Sequence, residues 1–372
     1  GLDGPFDVLK WGFHYRIAGF EVWAGEMILA MGILILFGIL NILGVEKAGI
    51  LQTILAALLG SSVLILTVAA LVSTKATTGN MLPWWGFDKA AAMQAVADGS
   101  YTTAEVFAHE GGAGITSAIL ATFAIAPWAF VGFDTIPQAA EEFKFSYKKV
   151  SLIMVVAILF GCFVYTANNT IAAAALENWP DLIVQSETTP WLLLAAAERL
   201  LGLPGKILVG TAVSRAVLSG IMGFYLASSR LMYSMSRDGY LPKWFGVVDA
   251  KHGTPKNALI FCILVSLSGP VLGREALGWF VDMSAIGASI GYFFTCASSL
   301  VTMRRDGDGS TFLKAVAWIG VIISVAFMVL QLVPIPGLSG VHFGKESYLL
   351  LIVWIVLGIV FYLRQIRYFK EK

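Results

Sequence analysis

The sequence predicts an all-α integral membrane protein, and three observations carry that prediction. Of its 372 residues, 58% are hydrophobic and only 13% are charged, where a soluble domain carries roughly 25% charge. The mean hydropathy is +0.78. The apolar residues also gather into long runs of roughly twenty, the length a helix needs to cross the hydrocarbon core of a bilayer.

Applied along the chain, that length criterion gives about nine spans. They cover 22–43, 50–73, 114–142, 148–173, 206–235, 256–272, 278–303, 312–334 and 346–366. The opening twenty or so residues read as a polar-aromatic loop with no cleavable signal peptide. A long polar segment, 74–112, and a short amphipathic stretch at 191–201, WLLLAAAERLL, separate the spans. Loops of that length in a compact protein are functional lids or carry short helices of their own, and both readings stay open here.

Lys and Arg near span ends mark the cytoplasmic side. Lys144, Lys148, Lys149, Arg230, Arg237, Lys243, Lys251 and Lys256 fall at one set of ends, and Arg304, Arg305, Arg364, Arg367, Lys370 and Lys372 continue it. The opposite ends carry Asp88, Asp98, Glu105, Glu110, Glu177, Asp181 and Glu187. The C-terminus is therefore expected in the cytoplasm, in a plasma-membrane setting. With an odd number of spans the first residue then falls outside. The start at Gly1 and the outside N-terminus together suggest a partial chain that lacks an odd number of upstream spans.

Composition also removes whole classes of function. A net charge of +1 leaves no excess of cations to meet a phosphate lattice, so nucleic acid is not an expected partner. Cys162, Cys262 and Cys296 lie in apolar spans, where they act as small hydrophobes rather than as a disulfide framework or metal site. His14, His109, His252 and His342 all fall in expected loops, and no nucleophile–base constellation points to an enzyme. No ring-forming filter motif suggests a channel.

One span breaks its own helix. Between Ala121 and Glu142 the chain reads ATFAIAPWAFVGFDTIPQAAEE, with Pro127 and Pro137 bracketing Gly132 and Asp134. Proline and glycine both disfavour a continuous helix there. In lipid, a broken backbone survives only when buried in protein or lining a cavity. Broken spans near the midplane hold substrate in secondary transporters, and this one reads as part of a transport site.

Three segments in order then carry a family resemblance. GFDTIPQAAEEFK (132–144) resembles the sixth-helix signature of the amino acid–polyamine–organocation permeases. SSRLMYSMSRDGYLPKWFGVVDAKHGTPKNAL (228–259) resembles the family's eighth helix and following loop, and NILGVEKAGILQ (41–52) the turn between its fourth and fifth helices. The resemblance covers the whole chain as helices four to twelve. It implies two inverted five-helix repeats, similar to the leucine transporter, followed by two extra helices. On that frame 1–73 ends the first repeat, 114–303 forms the second and 312–366 supplies the extra helices, within one transporter domain. Helices one to three are expected to be missing, and with them half of the substrate site, so residues 1–372 alone are not expected to bind tightly or transport.

The resemblance also assigns roles. Ala129, Phe130, Val131, Gly132 and Phe133 match the unwound segment that offers backbone groups to a substrate, and Gly132 lacks the Cβ that would hold a ligand off. Trp128 and Phe224 fall where arginine–agmatine exchangers carry gating aromatics; stacking on a substrate cation and ordinary packing both fit such rings. Asp134 is an ionisable group at membrane depth, a functional candidate by default. It can carry a coupling proton if burial raises its pKa, cap the second half-helix, or do both. Arg215 is either a snorkelling structural residue or the partner of Asp282 in an outer gate. Glu141 and Glu142 are expected to order the cytoplasmic mouth.

Two departures from the family are visible. No Lys follows Gln52 in QTILAALLGSSVL, and Phe145-Ser146 replaces the usual Asn-Pro. Lysine-based proton coupling is therefore not expected, and exchange, sodium coupling or a scheme through Asp134 stay open. No cofactor is expected. The expected function is secondary active transport of amino acids or related amines by alternating access, with a transporter-like sensor or partner subunit as the alternative.

Overall fold

The computed structural model describes residues 7–17, 20–81, 114–138, 146–177, 179, 182, 191–273, 276–307, 309–335 and 342–370. Glu141, Glu142 and Lys144, and most of the long 74–112 segment, lie outside the described residues.

Helices dominate. Their order is α1 (Ala24–Ile42), α2 (Val45–Val72), α3 (Gly114–Ala129), α4 (Thr135–Gln138), α5 (Tyr147–Ala175) and α6 (Leu192–Leu201). Then come α7 (Leu203–Arg237), α8 (Lys256–Ser266), α9 (Ser268–Leu272), α10 (Ala276–Arg305), α11 (Thr311–Leu332) and α12 (Lys345–Lys370). Among the described residues, seven helical stretches are long and apolar enough to cross a membrane: Ala24–Ile42, Gly49–Val72, Lys149–Ala175, Leu203–Arg237, Ala276–Arg305, Thr311–Leu332 and Lys345–Gln365. The remaining two expected spans are interrupted helices, α3–α4 and α8–α9. Pro270 breaks the second of these, because it has no N–H to give the carbonyl one turn back. There the hydroxyls of Ser266 and Ser268 donate to the carbonyls of Cys262 and Val265, both at 2.7 Å, a back-bonding that bends helices.

The opening segment, expected as loop, contains two short strands. His14–Ile17 (β1) and Phe20–Trp23 (β2) pair antiparallel, with His14 opposite Trp23 and Ile17 opposite Phe20. The His14 ring stacks on Trp23 with centroids 4.3 Å apart. β2 runs directly into α1, and the Tyr15 hydroxyl donates to the carbonyl of Val271 at the end of α9.

The chain divides into two compact units. One comprises residues 1–48, 121–144 and 221–372. Here α1 packs on α8 and α9, and α10 packs on both α11 and α12. The Thr254 hydroxyl, from the turn before α8, donates to the last carbonyl of α1 at Ile42 over 2.9 Å, which satisfies one of the acceptors a helix end leaves open.

The other unit comprises residues 49–120 and 145–220. Leu66, Ile171, Ala175, Leu176, Ala196 and Val209 form its buried core, where each large apolar side chain contributes about 1.5–3 kcal/mol by leaving water. The end of α5 is closed by the segment after α2: the Thr77 amide and the Asn80 side chain both donate to the Ala174 carbonyl, at 3.0 and 2.8 Å. Arg199 pairs with Glu177, and Lys75 donates to the Arg199 carbonyl at 2.9 Å.

Candidate functional site

The broken span is built as its sequence demands. α3 runs through Pro127 to Ala129, residues 130–134 form a turn, and the short α4 follows. Pro127 has no amide for the Phe123 carbonyl. At that point α11 holds α3: the Phe123 and Phe327 rings lie 4.3 Å apart, and the buried Gln331 side chain donates to the Ala124 carbonyl at 3.0 Å. Both contacts lie within one unit.

Gly132 sits at φ +134 with nothing within 4 Å of where a Cβ would be. That φ is strained for any residue with a side chain. The glycine is thus required by the backbone itself, and it leaves open space beside the turn. Its amide donates to the Asp134 carboxylate at 2.8 Å, and its carbonyl accepts from the Thr135 amide and hydroxyl at 3.1 and 2.6 Å. Asp134 therefore reaches back across the break, and the expected cap on the amides following it is not the bond it makes. The amide of Ile136 goes to the Phe133 carbonyl at 3.3 Å. Likewise the Phe130 and Val131 amides bond to Ala126 and Trp128 at 3.1 Å each. In this conformation the break closes on itself.

Phe133 stacks on Tyr292 of α10, centroids 5.7 Å apart and planes inclined by 28°. Among the described residues the buried Tyr292 hydroxyl has no hydrogen-bond partner. A buried unpaired hydroxyl is unfavourable unless something completes it. The Phe133 ring thus brings Tyr292 to the break that the Gly132–Asp134 bond closes. Tyr292 is not among the candidates the sequence suggests; its signal there is a hydroxyl-bearing ring at the end of SAIGASIGY (284–292), a run otherwise of Ser, Ala, Gly and Ile.

The remaining candidates stand as follows. Trp128 and Phe224 are 41% and 49% exposed, so both rings keep an open face. Ala129, Phe130 and Val131 are half-buried. Arg215 reaches the Ser62 hydroxyl at 3.5 Å inside its own unit. Asp282, in the other unit, accepts from Ser347 at the start of α12 over 2.6 Å.

The amino acid permease family matches residues 17–361, and the chain belongs to that family, within the amino acid–polyamine–organocation superfamily. An uncharacterized transporter of Rhizobium meliloti is 30% identical over 186 residues, 47% of this chain and 36% of that protein. The branched-chain amino acid permease of Bacillus subtilis is 23% identical over 272 residues, 69% of this chain and 51% of the relative. A vacuolar cationic amino acid transporter of Arabidopsis thaliana is 25% identical over 195 residues, 50% of this chain and 30% of the relative. The chain spans about a third to a half of the length of these relatives.

Proposed function

We propose that the protein is a secondary active transporter of amino acids or related amines, working by alternating access with the α3–α4 break as part of its substrate site. The observation that carries this reading is the break itself: a glycine at φ +134 with open space beside it, inside a chain of the permease family. Freed backbone groups at such breaks recognise the ammonium and carboxylate of a substrate. We assign that recognition to Ala129 to Phe133, through groups that a substrate takes over from the bonds the break makes in the present conformation, and Trp128 and Phe224 present aromatic faces to a substrate cation. Asp134 and Tyr292 form a polar layer under Phe133 that opens or closes as the substrate passes. Arg215 and Asp282 act as outer gating charges, each held by a hydroxyl in the present conformation. The names of the relatives include branched-chain and cationic amino acids, so the side-chain preference is set by residues around the break rather than by the break.

The basic span ends support a cytoplasmic C-terminus, and the setting proposed with it is the plasma membrane. Residues 1–73 complete a first repeat and 114–303 form a second. Uptake of radiolabelled amino acids and polyamines by the full-length protein in proteoliposomes tests the function. Saturable uptake, abolished by Gly132→Val, is the expected result. Absence of flux across the whole panel would overturn it, and tight binding without flux would indicate a sensor.

A further inference from the structure

We propose that the groove between α10 and α11 is a binding site for one anionic glycerophospholipid. The groove has a volume of about 610 Å³. That size lies within the roughly 300–1,000 Å³ typical of small-molecule sites. α10 lines it with Phe293, Ala297, Leu300 and Arg304, and α11 with Lys314 and Trp318. These positions recur at three, four or seven residues, so each helix presents a single stripe.

The stripes are graded. Their deep end is apolar and their shallow end cationic, because Arg304 closes α10 and Lys314 stands in the first turn of α11. Arg305 next door is taken up by Asp306 at 2.9 Å. Among the described residues no carboxylate lies within ion-pair distance of Arg304 or Lys314. Two unneutralised cations thus stand over an apolar trough.

Length selects the occupant. From Phe293 to Arg304 the helix rises ~16 Å, at 1.5 Å per residue. Half of a hydrocarbon core about 30 Å thick is nearly the same. The trough is one leaflet deep, with charge at headgroup level and, a turn further in, the 59% exposed Trp318, at the depth where interfacial tryptophans sit. α10 and α11 touch behind it where Gly320 admits Cys296, since a Cβ there would meet the sulfur at 2.5 Å. An amphiphile with a negative head and a single-leaflet tail matches every part. The basic bias puts this end at the cytoplasmic surface, where anionic lipids concentrate. None of this depends on what the protein transports.

The test is native mass spectrometry of the full-length protein released from vesicles of equal phosphatidylglycerol and phosphatidylcholine with matched acyl chains. We expect phosphatidylglycerol to be retained over phosphatidylcholine by roughly tenfold, as two interfacial cations allow. The double variant Arg304→Gln/Lys314→Gln should retain both equally. Ala297→Trp, which fills the trough and leaves the charges, should lose bound lipid altogether. Arg364→Gln, a basic residue on α12 outside the groove, should behave as wild type. Each variant is first checked for an unchanged thermal melt in phosphatidylcholine. Equal retention by the wild type would overturn the proposal. So would a preference that survives the double substitution, lipid retained in Ala297→Trp, or a dimer that seats on the groove and carries no lipid.

Discussion

At Gly132 the peptide backbone, rather than a neighbouring atom, dictates the residue. A φ of +134 with open space around the missing Cβ means that alanine would be strained without clashing, at about 1–3 kcal/mol. Gly132→Ala should therefore lower the melting temperature of the purified protein, and Gly132→Val by at least as much. An unchanged melt would show that the turn relaxes freely. The sequence made the break legible through Pro127, Gly132 and Asp134 because helix-breaking chemistry is local. The cap expected on the amides after Asp134 is not the bond it makes, since a carboxylate beside a break can reach amides on either side and this one takes that of Gly132. Tyr292 stayed hidden for a different reason. Its partner Phe133 is 159 positions away in the chain, and only folding brings the rings to 5.7 Å.

Elements follow the same division between local and distant causes. The expected spans 278–303 and 312–334 are the helices Ala276–Arg305 and Thr311–Leu332, because apolar length is a property of each segment alone. The β1–β2 hairpin was read as loop because each strand has only four residues and its anchor, Val271, lies far along the chain. The turn before α8 shows how side chains can set a loop. His252 donates to the Asp249 carboxylate from its backbone amide and stands 2.7 Å from it through the ring, while the Asp249 amide donates to the Thr254 carbonyl at 2.8 Å. The His252 ring first, and its backbone amide after it, hold the Asp249 carboxyl below its ordinary value of 3.8. A carboxylate with a depressed native pKa stabilises the fold above the unfolded value and ceases to do so as pH falls through the native one. Protection against amide exchange in residues 249–254, taken relative to the intrinsic exchange rate at each pH, should thus stay constant from pH 7 to about 5 and fall only below about pH 4. Asp249→Asn should remove that acid dependence; a loop that loosens already near pH 6 would contradict the assignment.

At the scale of the whole molecule, the proposed facing of the chain rests on hydropathy and basic residues together. On that topology Arg230, Arg237, Lys243, Lys251 and Lys256 share their side with Arg304, Arg305 and Arg364, and loop cations of this kind resist translocation. An epitope tag after Lys372 should be cleaved by external protease only once the cells are permeabilised. Cleavage in intact cells would invert the topology and, with it, the leaflet assigned to the α10–α11 groove. The division into two units built from alternating stretches of chain was not legible, because it depends on which helices pack rather than on where they begin.

The bond between Asp134 and the Gly132 amide has one further consequence, for discrimination between ligands. In the proposed site, the donor assigned to a substrate's carboxylate is already engaged by a carboxylate of the protein's own. An amino acid must compete with that resident anion, whereas the corresponding decarboxylated amine has nothing to displace. Removing the competitor with Asp134→Ala should therefore shift the ratio of uptake toward the amino acid and away from its amine, and a ratio that stays fixed would show that the two never meet at Gly132.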